Sequence, residues 1–198
     1  NNMRNKPPVD FDKFASEKSI LFITTSPVKK ALHGLANIFV SQAISELFTI
    51  ADESAAGALE IPTDIIFDDF ATGAKVSDMP EKLSICRAKG IAFSGILLQS
   101  ESQLKRMYGE YEAIEIIDQC DSYVFFGGNN YETAKALSLK MNVPLDEILY
   151  LPVGRIIVFR RGQKPVFSTR YDIFHDEFYQ RITQSHTGQK DDPWPRDR

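Results

Sequence analysis

The run TDIIFDDFA at residues 63–71 sets apolar residues directly before two adjacent carboxylates, Asp68 and Asp69. A strand can be apolar throughout when helices cover both faces of its sheet, as they do in parallel sheets. The carboxyl ends of such strands open into the crevice where open α/β sheets bind ligands. The run therefore predicts a buried strand that presents two acids at its end, and it fits a strand that ends in an acidic turn equally well.

The two acids also fit a nucleotide site. In a nucleoside triphosphatase, Asp68 would help to hold magnesium, often through water, and Asp69 would polarise the attacking water. Such a site needs a glycine-rich loop that ends in Gly-Lys-Ser or Gly-Lys-Thr, and the sequence contains no such run. Either the strand serves another purpose or the chain is a piece of a larger enzyme.

Composition narrows the class of protein. The chain has 198 residues, of which 43% are hydrophobic and 25% charged, as in an ordinary globular domain. Its net charge of −4 gives no global basic field for nucleic acid. The two cysteines predict free thiols, and the three histidines show no spacing typical of metal ligands. No apolar run is expected to be long enough to cross a bilayer.

Apolar periodicity predicts alternating strands and helices. We expect helices at residues 32–53, 78–89, 103–108, 111–119 and 131–141, strands at 19–25, 64–69, 91–98 and 122–126, and a closing hairpin formed by 155–160 and 165–168. The alternation predicts an α/β fold with a mostly parallel sheet.

Composition along the chain also predicts its organisation. Residues 1–18 read as a linker or boundary segment, 19–180 as one folded domain, and 181–198 as a disordered polar tail.

Further polar residues follow the predicted strands or the helix between them. Gln99 ends one strand, and a neutral amide there can bind a γ-phosphate or its attacking water. Gly127 and Gly128 end another strand. Arg87 lies late in the intervening helix, where a cation also complements the helix dipole without any functional role.

Four segments carry a family resemblance. The segments DIIFDDFA, ICRAKGIAFSGILLQSESQLKRMYG, IIDQCDSYVFFGGNNYETAKALS and LPVGRIIVFRRGQKPVF are similar, in this order, to blocks of the TraG/TraD-type coupling proteins. These proteins are the ATPases of conjugative type IV secretion. The likeness covers roughly residues 19–180 and is closest at residues 126–134.

The resemblance implies the C-terminal part of a RecA-like P-loop NTPase motor domain, with helices on both faces of the sheet. Asp68 would take the position of the Walker B acid on the magnesium side, and Asp69 the catalytic position, where the family usually has Glu. Gln99 would be the phosphate-sensing residue. Arg87 falls where the family has an arginine proposed to reach a neighbouring subunit's nucleotide.

The same resemblance implies partners and a location. The complete protein would be a hexamer that uses ATP and Mg²⁺ to pump single-stranded DNA and its relaxase toward a type IV secretion channel. It would lie at the cytoplasmic face of the bacterial membrane, anchored by a segment outside this chain. The Walker A strand and loop are also missing from the sequence, so we expect this chain alone to bind no nucleotide tightly and to hydrolyse no ATP.

Three residues of one short helix are candidates for DNA contact, namely Lys105, Arg106 and Tyr108. A cation beside an aromatic ring suits phosphate contact and base stacking, whereas the alternative is a solvated amphipathic helix. Two other readings of the whole chain stay open. One is a non-catalytic module that docks secretion partners, and the other is a double-stranded DNA translocase of the FtsK/HerA type.

Overall fold

The structure is a computed structural model that describes residues 9–25, 31–71 and 75–186. The chain divides into two compact units, residues 1–121 and residues 122–198. Each unit has a hydrophobic core of its own. The mixture of helices and strands confirms the predicted α/β class.

The first unit alternates helices with two strands. Its elements are α1 (Phe11–Ser16), α2 (Ala31–Glu53), β1 (Thr63–Phe67), α3 (Met79–Cys86), β2 (Ile91–Ile96), α4 (Glu101–Tyr108) and α5 (Glu110–Gln119). β1 and β2 pair in parallel, as predicted, with a shift in register between Ile65 and Ile66. The parallel pairing brings the carboxyl ends of both strands to one edge.

Two apolar clusters hold this unit together. One surrounds Met79, Leu104 and Ile116, which are almost completely buried between α3, α4 and α5. The other joins Leu47 of α2 to Ile91 of β2. Each such side chain contributes roughly 1.5–3 kcal/mol on burial, so these clusters, rather than surface ion pairs, fix the helices around the two strands.

The N-terminal segment differs from the sequence prediction in two respects. Residues 19–25 form no strand, and Ile20 and Phe22 are about four-fifths exposed, at 80% and 82%. A β-branched run becomes a strand only beside a pairing partner, and within the described residues β1 and β2 pair only with each other. The segment predicted as a linker contains α1, whose N-cap Asp10 accepts a hydrogen bond from the Lys13 amide at 3.0 Å.

Helix α2 corrects a second expectation. Residues 33–53 are long and apolar enough, by length and composition, to cross a membrane, with a mean hydropathy of 1.3. Core helices of soluble proteins meet the same criterion, and α2 places Ile44 and Leu47 in the interior. We had expected no apolar run long enough to cross a bilayer, and α2 is long enough by this criterion.

The second unit is an antiparallel sheet with helices. Its elements are β3 (Ser122–Phe125), α6 (Tyr131–Met141), α7 (Leu145–Leu149), β4 (Arg155–Arg160), β5 (Val166–Thr169) and α8 (Glu177–His186). The strand order is β3-β4-β5. Phe125, Leu137, Ile148 and Ile157 form the centre of its core.

The second unit confirms the closing hairpin of β4 and β5 and changes three details. β3 pairs with β4 in the antiparallel direction, with Ser122 opposite Arg160, instead of extending the parallel sheet. The connection predicted between two prolines contains α7. α8 includes residues 181–186, which were predicted to be disordered, while 187–198 lie outside the described residues.

Candidate functional site

Asp69 and Gln99 meet at the carboxyl edge of the parallel strand pair. Asp69 follows β1 and Gln99 follows β2. The side-chain nitrogen Nε2 of Gln99 donates a hydrogen bond to Oδ1 of Asp69 at 3.2 Å. The structure thus brings together two of the predicted site residues that lie thirty positions apart.

Backbone hydrogen bonds fix this edge. The Leu97 amide donates to the Phe67 carbonyl at 2.9 Å, and the Phe70 amide donates to the Leu97 carbonyl at 3.0 Å. Between these bonds Asp69 adopts a φ of 51°, which aspartate tolerates better than most residues because its short polar side chain bonds locally. The turn therefore holds the Asp69 carboxylate beside the end of β2.

Aromatic packing around Phe70 also stabilises the turn that contains Asp69. Phe70 is buried, with its ring centroid 4.9 Å from that of Phe67 and 5.6 Å from that of Tyr108. Aromatic pairs at such separations add to the stabilisation that burial gives. Asp68 and Asp69 are thus followed directly by a residue that is packed into the hydrophobic core.

Gln99 has a second side-chain partner that the sequence analysis did not single out. Its Oε1 accepts a hydrogen bond from Nε2 of Gln103, in α4, at 3.1 Å. The spacing of four residues is the signal that could have revealed the pair, because residues four apart meet on one helix face. The three side chains Asp69, Gln99 and Gln103 form a continuous chain of hydrogen bonds.

The chemistry of the strand end suits magnesium carried by a nucleotide. Mg²⁺ keeps several waters and is usually bound by one or two carboxylates together with substrate phosphates. Asp68 and Asp69 are both exposed and supply two such carboxylates. Within the described residues no group of three or more His, Cys, Asp or Glu side chains is placed to hold a metal ion.

Arg87 lies away from this edge. It belongs to the short 3-10 turn at residues 87–89 that precedes β2, whereas Gln99 follows β2. A six-residue strand spans about 20 Å, so Arg87 and Gln99 lie at opposite ends of the strand. The Arg87 side chain is 89% exposed and contacts Oδ2 of Asp121 at 3.3 Å.

The three DNA candidates of α4 have different surroundings. Lys105 forms an ion pair with Glu110 at 2.6 Å, and Arg106 is exposed. Tyr108 is only 5% exposed, its ring stacks on Phe70, and its hydroxyl accepts a hydrogen bond from the Val76 amide at 3.0 Å. Tyr108 cannot stack on a base in this structure, which corrects the prediction for that residue.

Burial of Tyr108 also changes its acidity. Loss of hydration disfavours the phenolate and raises the pKa of Tyr108 to about 12 from its ordinary 10.0. Lys75 stands over the ring, 5.2 Å from its centroid. Tyr108 is therefore a neutral structural residue that ties α4 to Val76.

The glycine pair and the two cysteines complete the set of residues named from the sequence. Gly127, with a φ of 87°, follows β3 in the second unit, whereas Asp69 and Gln99 belong to the first. Cys86 is buried beside Arg87, and burial raises the pKa of its thiol. Cys120 is exposed beside Asp121.

Comparison with known proteins gives a family match and a shared fold. Residues 62–141 match the family described as the TraM recognition site of TraD and TraG. The chain is similar to the unbound monoclinic form of the bacterial conjugative coupling protein TrwBdeltaN70, with 22% identity and a TM-score of 0.60. That alignment covers 71% of this chain and 38% of TrwBdeltaN70.

Two further TrwB structures contain nucleotides. The complex with the non-hydrolysable analogue ADPNP is 23% identical with a TM-score of 0.60, and the complex with ADP and Mg²⁺ is 22% identical with a TM-score of 0.60. Each alignment covers 71% of this chain and 37% of TrwB. No curated protein matches the chain.

The likeness to these structures shows that the chain shares the fold of the matched part of TrwB, in agreement with the α/β fold class expected from the sequence. The aligned part of the chain spans 37–38% of the length of these solved chains. Through residues 62–141, the chain is similar to the C-terminal region of the TraG/TraD-type coupling proteins.

Proposed function

We propose that this chain is part of the ATP-driven motor of a conjugative coupling protein, with its hydrolytic edge at Asp69 and Gln99. The observation that carries this proposal is the 3.2 Å hydrogen bond between these side chains at the carboxyl edge of β1 and β2. Ligands of open α/β sheets bind at this edge. Structures of the similar protein TrwB hold ADPNP, or ADP with Mg²⁺, which supports ATP and Mg²⁺ as the ligands of the complete protein.

Each residue of the edge has a distinct role in the proposed reaction. Asp68 would hold Mg²⁺, which would neutralise charge on the phosphates, and Asp69 would orient the attacking water and accept its proton. The water oxygen bonds to the γ-phosphorus as the bond to the bridging β–γ oxygen breaks. Gln99 now gives Asp69 the same N–H donor that it would give a γ-phosphate. Nucleotide binding would therefore release Oδ1 of Asp69 from its bond with Gln99, so that this oxygen could accept a bond from the water.

Arg87 is proposed to act on the nucleotide of a neighbouring subunit. Its place at the end of β2 opposite to Gln99 separates it from Asp69 of its own chain by roughly the length of the strand. Its exposure of 89% leaves the guanidinium accessible to a second protein surface. This role requires a ring assembly, proposed to be a hexamer of the complete protein.

Substitution of the catalytic acid in the complete protein tests the proposal. Asp69→Asn should lower the rate of ATP hydrolysis by about 10²–10⁴, because the amide cannot accept the proton of water. Asp64→Asn is the matched control, since Asp64 is an exposed acid of β1 that bonds Ser94 at 2.8 Å. Equal rates for Asp69→Asn and Asp64→Asn would refute the assignment.

The isolated chain offers a complementary measurement. The 198-residue chain lacks a glycine-rich phosphate loop in its sequence, so it should show no ATP hydrolysis. Magnesium-dependent hydrolysis by the purified chain that disappears in Asp69→Ala would show that the chain is catalytically complete.

The proposed cargo is single-stranded DNA bound to a relaxase, delivered to a type IV secretion channel from a protein anchored at the cytoplasmic membrane by a segment outside this chain. Arg106 is the exposed cation of α4, with Lys105 beside it. Arg106→Gln should reduce the salt dependence of single-strand binding by about 0.7 in the log–log slope, the value for one phosphate contact. Lys13→Gln in α1 is the control and should leave the slope unchanged.

A second candidate function is partner docking without hydrolysis. It is favoured by the family match, because that family is described as a TraM recognition site. Titration of the 198-residue chain with a TraM-type protein tests it by calorimetry. Binding that persists in Asp69→Asn, together with a complete protein that hydrolyses no ATP, would favour docking over the motor.

A further inference from the structure

Gln103 has no direct role in the proposed hydrolysis, but it forms a hydrogen bond with the side-chain amide of Gln99, which has such a role. Its Nε2 donates to Oε1 of Gln99 at 3.1 Å, and Nε2 of Gln99 donates in turn to Asp69. Gln103 lies in the first turns of α4, which is anchored by the completely buried Leu104. The partner of Gln99 is thus part of a packed helix rather than of a mobile loop.

The carboxylate of Asp69 fixes the direction of both hydrogen bonds that link Asp69, Gln99 and Gln103. An ionised carboxylate only accepts hydrogen bonds, so Gln99 must turn its NH₂ group toward Asp69. Its carbonyl oxygen then faces Gln103, which must donate its own NH₂ group. The orientation of both amides therefore follows from the acid at the end of β1.

This arrangement leaves one atom without a partner. The carbonyl oxygen Oε1 of Gln103 is buried and accepts no hydrogen bond in the part of the chain that the structure describes. Burial of an acceptor without a donor is unfavourable. Leucine would occupy the same place without this penalty, so the glutamine is not explained by packing alone.

We propose that Gln103 is a positioning residue that locks the Gln99 amide with its NH₂ group toward the hydrolytic edge. Without Gln103, only the bond to Asp69 restrains the Gln99 amide, so rotation about its terminal torsion, which breaks that bond, becomes more frequent. The orientation of Gln99 is a property of this chain by itself. Only the consequence for hydrolysis rests on the proposed function.

Nuclear magnetic resonance of the 198-residue chain tests the orientation directly. In Gln103→Leu, the side-chain NH₂ protons of Gln99 should exchange with water about fivefold faster, as expected for the loss of one ordinary hydrogen bond. The urea midpoint should stay the same or rise, because the unpartnered acceptor is removed. A purely structural role predicts the opposite pair of results, with a lower midpoint and unchanged exchange.

Two variants guard this result. Gln103→Glu keeps the shape but removes the donor at neutral pH, and it should also accelerate exchange at Gln99. Gln119→Leu makes the same chemical change at the exposed end of α5 and should leave Gln99 unchanged. Unaltered Gln99 exchange in both Gln103 variants would overturn the proposal.

Kinetics of the complete protein separate this proposal from the proposed function. Gln103→Leu should lower kcat for ATP by about tenfold to a hundredfold, as misplacement of a catalytic group does, with KM for ATP unchanged. An unchanged kcat in a protein that is impaired by Gln99→Ala would overturn the proposal. If Gln99→Ala leaves hydrolysis intact while Gln103→Leu accelerates amide exchange, the positioning stands and the role of Gln99 in hydrolysis fails.

Discussion

Gln99 donates its side-chain amide to Oδ1 of Asp69 at 3.2 Å, across the ends of two parallel strands. Phe67 pairs with Ile96 at the last position of the ladder. Asp68 follows Phe67 directly, whereas Leu97 and Leu98 separate Ile96 from Gln99, so the polar residues begin two positions later after β2 than after β1. Substitutions at these strand ends should separate effects on backbone conformation from effects on catalysis.

The backbone at Asp69 gives the first prediction. Asp69→Ala should lower the free energy of unfolding by about 1–2 kcal/mol, because alanine tolerates a φ of 51° poorly. Asp69→Asn should be nearly neutral, since asparagine accepts this conformation. Urea unfolding of the 198-residue chain measures both. Asp68→Ala is the control at a position without positive φ, and an equal loss there would rule out backbone strain at Asp69.

Gly90 provides a second test of conformation. It has a φ of 73°, and a Cβ added there would lie 3.3 Å from the amide nitrogen of Leu59. Gly90→Ala should therefore lower the free energy of unfolding by about 2–3 kcal/mol. Gly57→Ala, at a φ of 68° but with open space around the new atom, should lower it by about 1–2 kcal/mol. If urea unfolding shows the same decrease in the free energy of unfolding for both variants, the close approach to Leu59 does not destabilise Gly90→Ala.

Tyr108 predicts a pH dependence in the alkaline range. Burial raises its pKa from 10.0 to about 12, so the unfolded chain loses this proton first. The stability that the buried neutral phenol contributes is fully present below pH 10 and is lost as the pH rises to about 12.

We expect this loss to reach about 2–3 kcal/mol over that interval, measured by urea unfolding at each pH. Tyr108→Phe should remove this part of the pH dependence, although it also removes the hydrogen bond to Val76. Tyr111→Phe, at an exposed position of α5, is the control. If the free energy of unfolding falls with pH above pH 10 equally steeply in Tyr108→Phe and in the unchanged protein, Tyr108 is not the group responsible.

Arg87 should affect ATP hydrolysis by the assembled complete protein and leave the stability of the 198-residue chain almost unchanged. Arg87→Ala should reduce ATP hydrolysis by the assembled complete protein by about 10³–10⁵, the range for an arginine that stabilises the transition state. The stability of the 198-residue chain should change by less than about 1 kcal/mol, because the ion pair with Asp121 is exposed. Asp121→Ala removes the same ion pair but keeps the cation. If Arg87→Ala and Asp121→Ala give the same rate of hydrolysis, Arg87 is structural.

Local pattern predicts most of the elements but not their partners. The periodicity of α2 and the continuous apolar run of β2 are sufficient to place both, within two residues at most boundaries. The composition of β3 shows a strand but not its direction, because β4 lies about thirty residues further along and determines the antiparallel pairing. Residues 19–25 have strand composition without a neighbour to pair with among the described residues.

The candidate site is predictable to a similar extent. Parallel pairing of β1 and β2 is enough to bring Asp69 and Gln99 together. The burial of Tyr108 could have been inferred, since Leu104 lies four residues earlier on the same face of α4 and both are buried. The separation of Arg87 from Gln99 follows from the length of β2, although the contact with Asp121 depends on how α5 ends.

The contrast between the two thiols has a practical consequence. Cys120 is exposed, whereas the thiol of Cys86 is buried and its pKa is raised, so an alkylating reagent should modify Cys120 alone under native conditions. Cys120 precedes Asp121, the residue that Arg87 contacts. These 198 residues therefore offer a single attachment point for a fluorophore beside the arginine, from which the approach of a second copy can be observed without an engineered cysteine.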